Sequence, residues 1–448
     1  MNIFQMNRDE RKELLGMFFP MFVEQALFQI VSLLITAIVK DSGMEAVAAV
    51  SLLSSIVGLF QQSFYSIGVG VTVIVSQLRG RGDPKTTGKA ASQAIALAIL
   101  TSSSVSILCN IFLNSILSLV FQNSDPMIYY YGRQYLLYEL ASLPLVAISS
   151  TAMAAIRGSG YAVSSLNATL INSFSYVGVA FILVRWTNLG LTGVCIAILI
   201  SRVIAAIVGI VQLLRGNSEL QSRGISFKIE GSIARPIFRV AIPMLLENLI
   251  FSGGKFITQS FSIVYGTNSV AANGIANNIH TLILGPGFAV NSIVSPIVGR
   301  YCGKGDTEGA KRKGNQILWL TVILMSVICI LTYIFMKPLV SLMTHEIDVQ
   351  EQVYEIVIGN CLTIPLLWTL GFVIPTIMRS SGDGKFASYV CTGTMLLIRI
   401  TTGYLFAVVL EIGIIGIWIS MFADWFVRIL FFYPRFKSGK WLKFKLLE

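Results

Sequence analysis

The sequence predicts an all-α polytopic membrane protein: twelve transmembrane helices in two pseudo-symmetric six-helix lobes, set as parallel repeats around a central cavity. Three observations lead there. Only 12% of the 448 residues are charged against 54% hydrophobic, whereas ordinary soluble domains carry about 25% charge. Uncharged stretches reach 33 residues (46–78) and 35 residues (90–124), and about 20 apolar residues already cross a bilayer as a helix. The second half of the chain also repeats the first at a fixed offset. The apolar runs are continuous rather than alternating, which argues against a β-barrel. Soluble enzymes, nucleic-acid binders and secreted domains are excluded.

The formal charge of +11 is a topology signal. Of the 33 Lys and Arg, 25 fall in seven stretches: 8–12, 79–89, Arg157, 215–239, 300–313, 379–385 and 435–445. The turns between them, near Lys40, Asp125, Arg185, Gly266, 337–351 and Glu411, are poor in basic residues. Cytoplasmic loops carry the excess of Lys and Arg. The chain is therefore expected in the cell inner (plasma) membrane with both termini cytoplasmic. Loops around Arg81, Asn217 and Lys304 are expected inside, and the loop around His345 outside.

The spans follow in order. Span 1 begins after the charged run 8–13 and continues for about 23 residues, too long for a signal-peptide core and without a cleavage pattern. Span 2 fills 46–78 and ends at GRGD (80–83). Span 3 lies within 90–124. Span 4 carries Glu139 ahead of Pro144 and ends at Arg157. Span 5 carries Asn172, and span 6 carries Arg202. The basic stretch 215–239 separates an amino-terminal lobe (1–225) from a carboxyl-terminal lobe (226–448). Span 7 opens at Pro243. Span 8 holds His280 and a bend at Gly285-Pro286-Gly287, then reaches GKGD (303–306). Spans 9 and 10 flank 337–351, with Asn360 ahead of Pro365. Spans 11 and 12 flank Glu411 and hold Arg399, Asp424 and Arg428.

Residues 20–83 align with 243–306 at an offset of 223 without a gap, and 16 of 64 positions are identical. PMFVEQALF faces PMLLENLIF, and GRGD faces GKGD. RGSG (157–160) faces RSSG (379–382) after a one-residue slip, and 189–193 faces 412–416. Six spans per half is an even number, so both halves enter the membrane the same way, an arrangement found in transporters.

The first span of each half carries a polar stripe. Gln25, Gln29, Ser32 and Thr36 share one helical face, and Asn248, Ser252, Lys255 and Gln259 occupy the equivalent places. Lipid-facing polar groups cost several kcal/mol each, so the stripes are read as walls of a pathway for small-molecule organic substrates; interhelical glue is the alternative. Glu247 is the first candidate for ion coupling. A partly desolvated carboxylate exchanges protons near neutrality, or ligates a hard cation once ionised. A structural ion pair with Lys255 is the competing reading. Glu24 is the symmetric position and Glu139 the second-rank candidate. Asp424 and Arg428 read as a local i, i+4 pair, Arg202 and Arg399 as pairing or snorkelling residues, and His280 as a satisfied core histidine.

No P-loop, dinucleotide fingerprint or metal-ligand spacing occurs, and the six cysteines form no cluster. The expected protein is not an enzyme, holds no cofactor or metal, binds no nucleic acid, and works as a monomer among membrane lipids on an ion gradient.

The chain resembles the multidrug and toxic compound extrusion (MATE) transporters. The resemblance rests on PMFVEQ and PMLLEN, EAVAAVSL (45–52), SVAANGIANNI (269–279), GRGD and GKGD, IRGSG (156–160), MRSSGDG (378–384) and GIIGIWIS with FKSGKW. It implies two six-helix lobes around a V-shaped cavity, and efflux of cationic or amphipathic drugs and metabolites against Na⁺ or H⁺. Asn172 lies where relatives hold amide ligands. Ile35 stands where many relatives carry an Asp of an amino-lobe cation site, which shifts weight to Glu247. A lipid-linked oligosaccharide flippase is the alternative, and it would show a more cationic cavity than Lys255 alone supplies. A non-transporting receptor or channel subunit fits the short outer loops and doubled polar walls less well.

Overall fold

A computed structural model describes residues 6–121, 125–187, 189–215, 228–444 and 446–447. The loop around Asn217 lies outside the described residues. Within them the chain is helical, without a strand. The first half comprises α1 (Arg8–Lys40), α2 (Met44–Gly80), α3 (Pro84–Ile111), the short α4 (Leu113–Val120), α5 (Pro126–Gly158), α6 (Ala162–Arg185) and α7 (Gly190–Leu214). The second half comprises α8 (Gly231–Ser260), α9 (Gly266–Lys304), α10 (Thr307–Ile334), the short α11 (Met336–Ser341), α12 (Ile347–Thr363), α13 (Thr369–Ser381), α14 (Gly384–Thr394), α15 (Thr401–Tyr404) and α16 (Ile414–Lys437).

Eleven helical segments are long and apolar enough to cross a membrane, one of them the 74-residue Gly231–Lys304. That segment breaks at a 3₁₀ turn, Phe261–Tyr265, followed by Gly266 at φ 82°. It therefore supplies two crossings, α8 and α9, and the described residues carry the twelve helices expected from the charge pattern. Three π-helical turns, Ile364–Trp368, Met395–Ile400 and Leu405–Val409, interrupt the second half.

The repeated motifs are repeated pieces of backbone chemistry. In GRGD and GKGD, Gly82 and Gly305 adopt left-handed φ values of 72° and 77°, which side chains with a Cβ avoid. The aspartates that follow cap the next helix. Asp83 Oδ1 accepts from the Thr86 amide at 3.0 Å, and Asp306 Oδ1 from the Gly309 amide at 2.8 Å. Each motif thus ends one helix and starts another within four residues. Gly193 and Gly416 have a different reason to be glycine. A Cβ on Gly193 would lie 3.1 Å from the Leu183 backbone, and one on Gly416 would lie 3.0 Å from that of Phe406. These positions let a helix turn back closely against its predecessor.

The chain forms two compact units, one from Leu15–Ala241 and one from Ile242–Leu446 with the start of α1 up to Leu14. The division falls inside α8, not at 225/226. Within the amino unit, the approach to α8 is held by Lys89 Nζ at 2.6 Å from Glu230 Oε1, and Gly70 admits the Ile237 carbonyl. Within the carboxyl unit, the start of α1 is held by Glu10–Lys313 at 2.7 Å and Glu13–Arg300 at 2.6 Å. The amino core is built on aliphatics such as Leu53, Leu117, Leu136, Leu140 and Leu143. The carboxyl core instead stacks Trp368, Trp418 and Trp425 among its aliphatics.

Candidate ion-coupling and substrate site

Each lobe seats a carboxylate from its first helix on an arginine from the end of its fourth span. In the amino unit, Arg157 Nη1 donates to Glu24 Oε1 at 3.0 Å and to the Ser165 hydroxyl at 3.2 Å. That hydroxyl in turn donates to Glu24 Oε2 at 3.3 Å. In the carboxyl unit, Arg379 Nη2 donates to Glu247 Oε2 at 2.5 Å. The competing reading, an ion pair of Glu247 with Lys255, gives way to this geometry: the partner is a guanidinium from a residue 132 positions away, a pairing that helical spacing cannot foresee. The two pairs are not equally supported. The offset of 223 sets Ser165 on Ser388, whose hydroxyl has no hydrogen-bond partner, and Arg379 Nε has none either. Glu24 is 5% exposed and Arg379 6%.

Glu139 occupies a second buried site in the amino unit. Arg202 Nη1 lies 2.7 Å from Glu139 Oε2 and also donates to the Ser142 hydroxyl. Arg202 therefore pairs, one of the two behaviours expected of it. The position matched to Glu139 in the carboxyl unit is Asn360, and its side-chain oxygen meets His280 Nδ1 at 2.8 Å. The His280 ring lies edge-on to Trp418, centroids 5.4 Å apart, and stacks on Trp425 at 6.0 Å. It is a hydrogen-bonded, aromatic-walled histidine.

The stripe residues fall in different surroundings. On α1, Gln25 is half-buried, while Gln29, Ser32 and Thr36 are exposed. On α8, Asn248, Ser252, Lys255 and Gln259 are all half-buried. Gln259 Nε2 reaches Asn277 Oδ1 at 3.4 Å, Asn277 bonds back to the Asn273 carbonyl at 2.9 Å, and Trp418 Nε1 donates to Asn273 Oδ1 at 3.1 Å. Asn273, Asn277 and His280 stand at i, i+4 and i+7 on α9. That spacing was legible in SVAANGIANNI and the histidine that follows it, and was missed as a polar face. Asn172 is half-buried, with its side-chain oxygen unpartnered.

A denser charge cluster lies in the carboxyl unit. Arg428 makes the expected local pair with Asp424 in two-pronged form, Nε to Oδ1 at 3.0 Å and Nη2 to Oδ2 at 2.9 Å, and its Nε also meets Thr394 at 3.1 Å. Arg399 lies on the Phe251 ring, 5.5 Å from its centroid, and Arg428 lies 5.8 Å from the same ring. Arg399 neither snorkels nor pairs with a carboxylate. It is 6% exposed, and its Nε has no hydrogen-bond partner. Lys255, one turn beyond Phe251 on α8, likewise has no ion-pair partner among the described residues. Lys255 is thus not nearly alone, as its stripe suggested. No group of three or more His, Cys, Asp or Glu able to hold a metal occurs among the described residues.

The sequence model of the MatE family matches the chain twice, over residues 20–183 and over 243–405. The chain belongs to the MatE family. Its two MatE matches begin at the two prolines that open the lobes. Uncharacterized transporter YisQ of Bacillus subtilis (strain 168) is 26% identical, the match covering 97% of this chain and 96% of that protein. Probable multidrug resistance protein NorM of Thermotoga maritima is 24% identical over 97% of this chain and 93% of its own. A crystal structure of MATE in the bent conformation aligns over 96% of both chains with a TM-score of 0.87 at 18% identity, a likeness of fold. MatE proteins are multi-pass membrane transporters, and multidrug efflux transporters are among them.

Proposed function

We propose that this MatE protein is a secondary efflux antiporter of the plasma membrane, with both termini cytoplasmic. It exports amphipathic or cationic drugs and metabolites in exchange for inward Na⁺ or H⁺. The observation that carries this reading is the doubled glutamate–arginine pair, one in each lobe. Binding of an ion to such a glutamate weakens its hold on the arginine, so occupancy changes the stability of the contact between the first helix and the fourth span of that lobe. An ion drives transport only through such a difference between states. Glu247 suits the coupling role better than Glu24, because a serine hydroxyl braces Glu24 whereas the donor beside Glu247, apart from Arg379, is the weaker Cys391 thiol. Glu139, locked to Arg202, ranks second. Exposed Gln29, Ser32 and Thr36 on α1 require water rather than lipid beside them, which supports a wet path for substrate. Each chain carries both lobes, so a monomer suffices.

Inverted vesicles test this reading. A cationic or amphipathic dye should accumulate when a proton or Na⁺ gradient of the correct sign is imposed, and the effective gradient names the ion. Accumulation with neither gradient, or with both dissipated, contradicts antiport. One observation favours a second reading, the lipid-linked oligosaccharide flippase. Lys255, Arg399 and Arg428 provide more positive charge than the stripe alone suggested, and a pyrophosphate needs such charge. Ion-independent movement of a lipid diphosphate across proteoliposomes would select it.

A further inference from the structure

We propose that the carboxyl lobe contains an anion subsite in which Lys255, Arg399 and Arg428 receive an oxyanion of an amphipathic substrate: a carboxylate, sulfonate or phosphate. The inference rests on the efflux reading for the word substrate, but its geometry stands without it. Two guanidinium groups meet on Phe251, Arg399 from the π-helical turn Met395–Ile400 and Arg428 from α16, and Lys255 stands one turn beyond Phe251 on α8, within electrostatic reach of Arg399. Among the described residues Asp424 is the one carboxylate at ion-pair distance from any of the three, and both of its oxygens are occupied by Arg428. The neighbouring Glu247 carboxylate is held by Arg379. Lys255 and Arg399 have no carboxylate at ion-pair distance among the described residues, and Asp424, committed to Arg428, reaches Arg399 only at longer range.

The amino unit shows that this is not how the fold ordinarily handles buried arginines. There Arg157 and Arg202 each contact a glutamate, at 3.0 and 2.7 Å. Burying a cation without a partner costs several kcal/mol, and charges inside a membrane are kept where they serve a ligand or pathway. The Phe251 ring is a poor remedy, because one aromatic ring shared by two guanidinium groups offers each only a weak attraction. Arg399 also keeps a buried Nε–H with nothing to donate to. A carboxylate, sulfonate or phosphate accepts two parallel N–H donors from a guanidinium, which makes an oxyanion the chemistry this group lacks. The π turn that carries Arg399 is a distortion often found at functional sites. Phe251 and Phe372, the latter 5.2 Å from the Arg428 guanidinium, provide apolar surface for the remainder of an amphipath. The same oxyanion could belong to a soluble compound or to a lipid headgroup.

The test uses the full chain in nanodiscs of phosphatidylcholine, with carboxyfluorescein as the anionic probe and rhodamine 123 as a cation of similar ring system. Fluorescence anisotropy should show carboxyfluorescein binding that weakens at least tenfold in Arg399→Gln and in Lys255→Gln, while rhodamine 123 binding tightens in both. Arg399→Lys, which keeps the charge, should retain most of the carboxyfluorescein affinity. Lys255→Gln guards against misfolding of the arginine variant, because Lys255 is only half-buried. A second arm titrates a long-chain alkyl diphosphate. Arg399-dependent binding of that lipid without binding of carboxyfluorescein supports the subsite and assigns it to a headgroup. Carboxyfluorescein and diphosphate binding that is absent, or indifferent to both Arg399→Gln and Lys255→Gln, overturns the proposal. Neither arm uses an ion gradient. Loss of anion binding with intact rhodamine efflux removes the subsite alone, and anion binding without gradient-driven efflux removes the antiport reading alone.

Discussion

The two lobes are built from one plan and charged differently. Their turns and their glutamate–arginine pairs recur at offsets of 222 or 223 residues: Gly82 and Gly305, Asp83 and Asp306, Gly193 and Gly416, Arg157 and Arg379. Deeper along the same helices the correspondence fails. Tyr176, Ser201 and Arg202 of the amino lobe are replaced by Arg399, Asp424 and Trp425. The amino lobe balances its described buried arginines on glutamates, whereas the carboxyl lobe keeps an arginine and a lysine unbalanced beside a tryptophan-walled histidine. Duplication has preserved what closes helices and anchors their ends, where the backbone tolerates few residues. It has released the positions proposed to meet a ligand, and the two lobes are therefore expected to divide the labour.

The largest expected effect sharpens that comparison at the paired glutamates. Arg379→Ala leaves Glu247, whose side chain is 14% exposed, without its arginine and with the Cys391 thiol beside it, and should cost about 3 kcal/mol of stability, read as a fall in Tm of the purified protein. Arg157→Ala should cost less, because its side chain is 20% exposed and Ser165 still donates to Glu24. Equal losses would remove the asymmetry on which the choice of Glu247 rests.

A smaller effect belongs to the close approaches. Gly158→Ala places a Cβ 2.8 Å from the Thr72 carbonyl oxygen and should cost about 1–3 kcal/mol through displacement of α5 from α2. A neutral result in thermal unfolding would mean that the helices separate freely there.

The smallest effect should be the same in both lobes. Asp83→Ala and Asp306→Ala each remove a helix cap worth about 1 kcal/mol. Thr86, through its hydroxyl and amide, holds the Asp83 carboxyl below its usual value of 3.8. The ionised cap is therefore fully formed above that pH, and its contribution fades as the pH falls through the lowered value. Wild type and Asp83→Ala should accordingly converge in stability in acid and differ at neutral pH. A constant difference across that range would assign the loss to another cause.

Much of the fold was legible in the residues. Uncharged runs gave the spans, and the offset of 223 gave the two lobes. The cap-forming GRGD and GKGD were visible as motifs, and the structure adds the left-handed glycines and capping aspartates that explain them. The functional site was less legible for a physical reason: helical periodicity relates residues on one helix only. It placed Asp424 beside Arg428 correctly, but could not bring Arg379 to Glu247 or Arg202 to Glu139, which join different helices. The bare charge of Arg399 was also hidden, because a sequence shows a cation without showing that no carboxylate reaches it.

Glu247→Gln, with Glu24→Gln beside it, tests most directly the claim that the carboxyl-lobe pair couples the ion to the substrate. The measurement is gradient-driven dye accumulation in inverted vesicles, with dye binding at equilibrium measured on the same preparations. Glutamine keeps the size and hydrogen bonding of glutamate but cannot be ionised. Accumulation should collapse in Glu247→Gln and fall less in Glu24→Gln, with binding preserved within about tenfold, or ~1.4 kcal/mol. A Glu247→Gln protein that concentrates dye at the wild-type rate would contradict the claim and move the coupling site to Glu139.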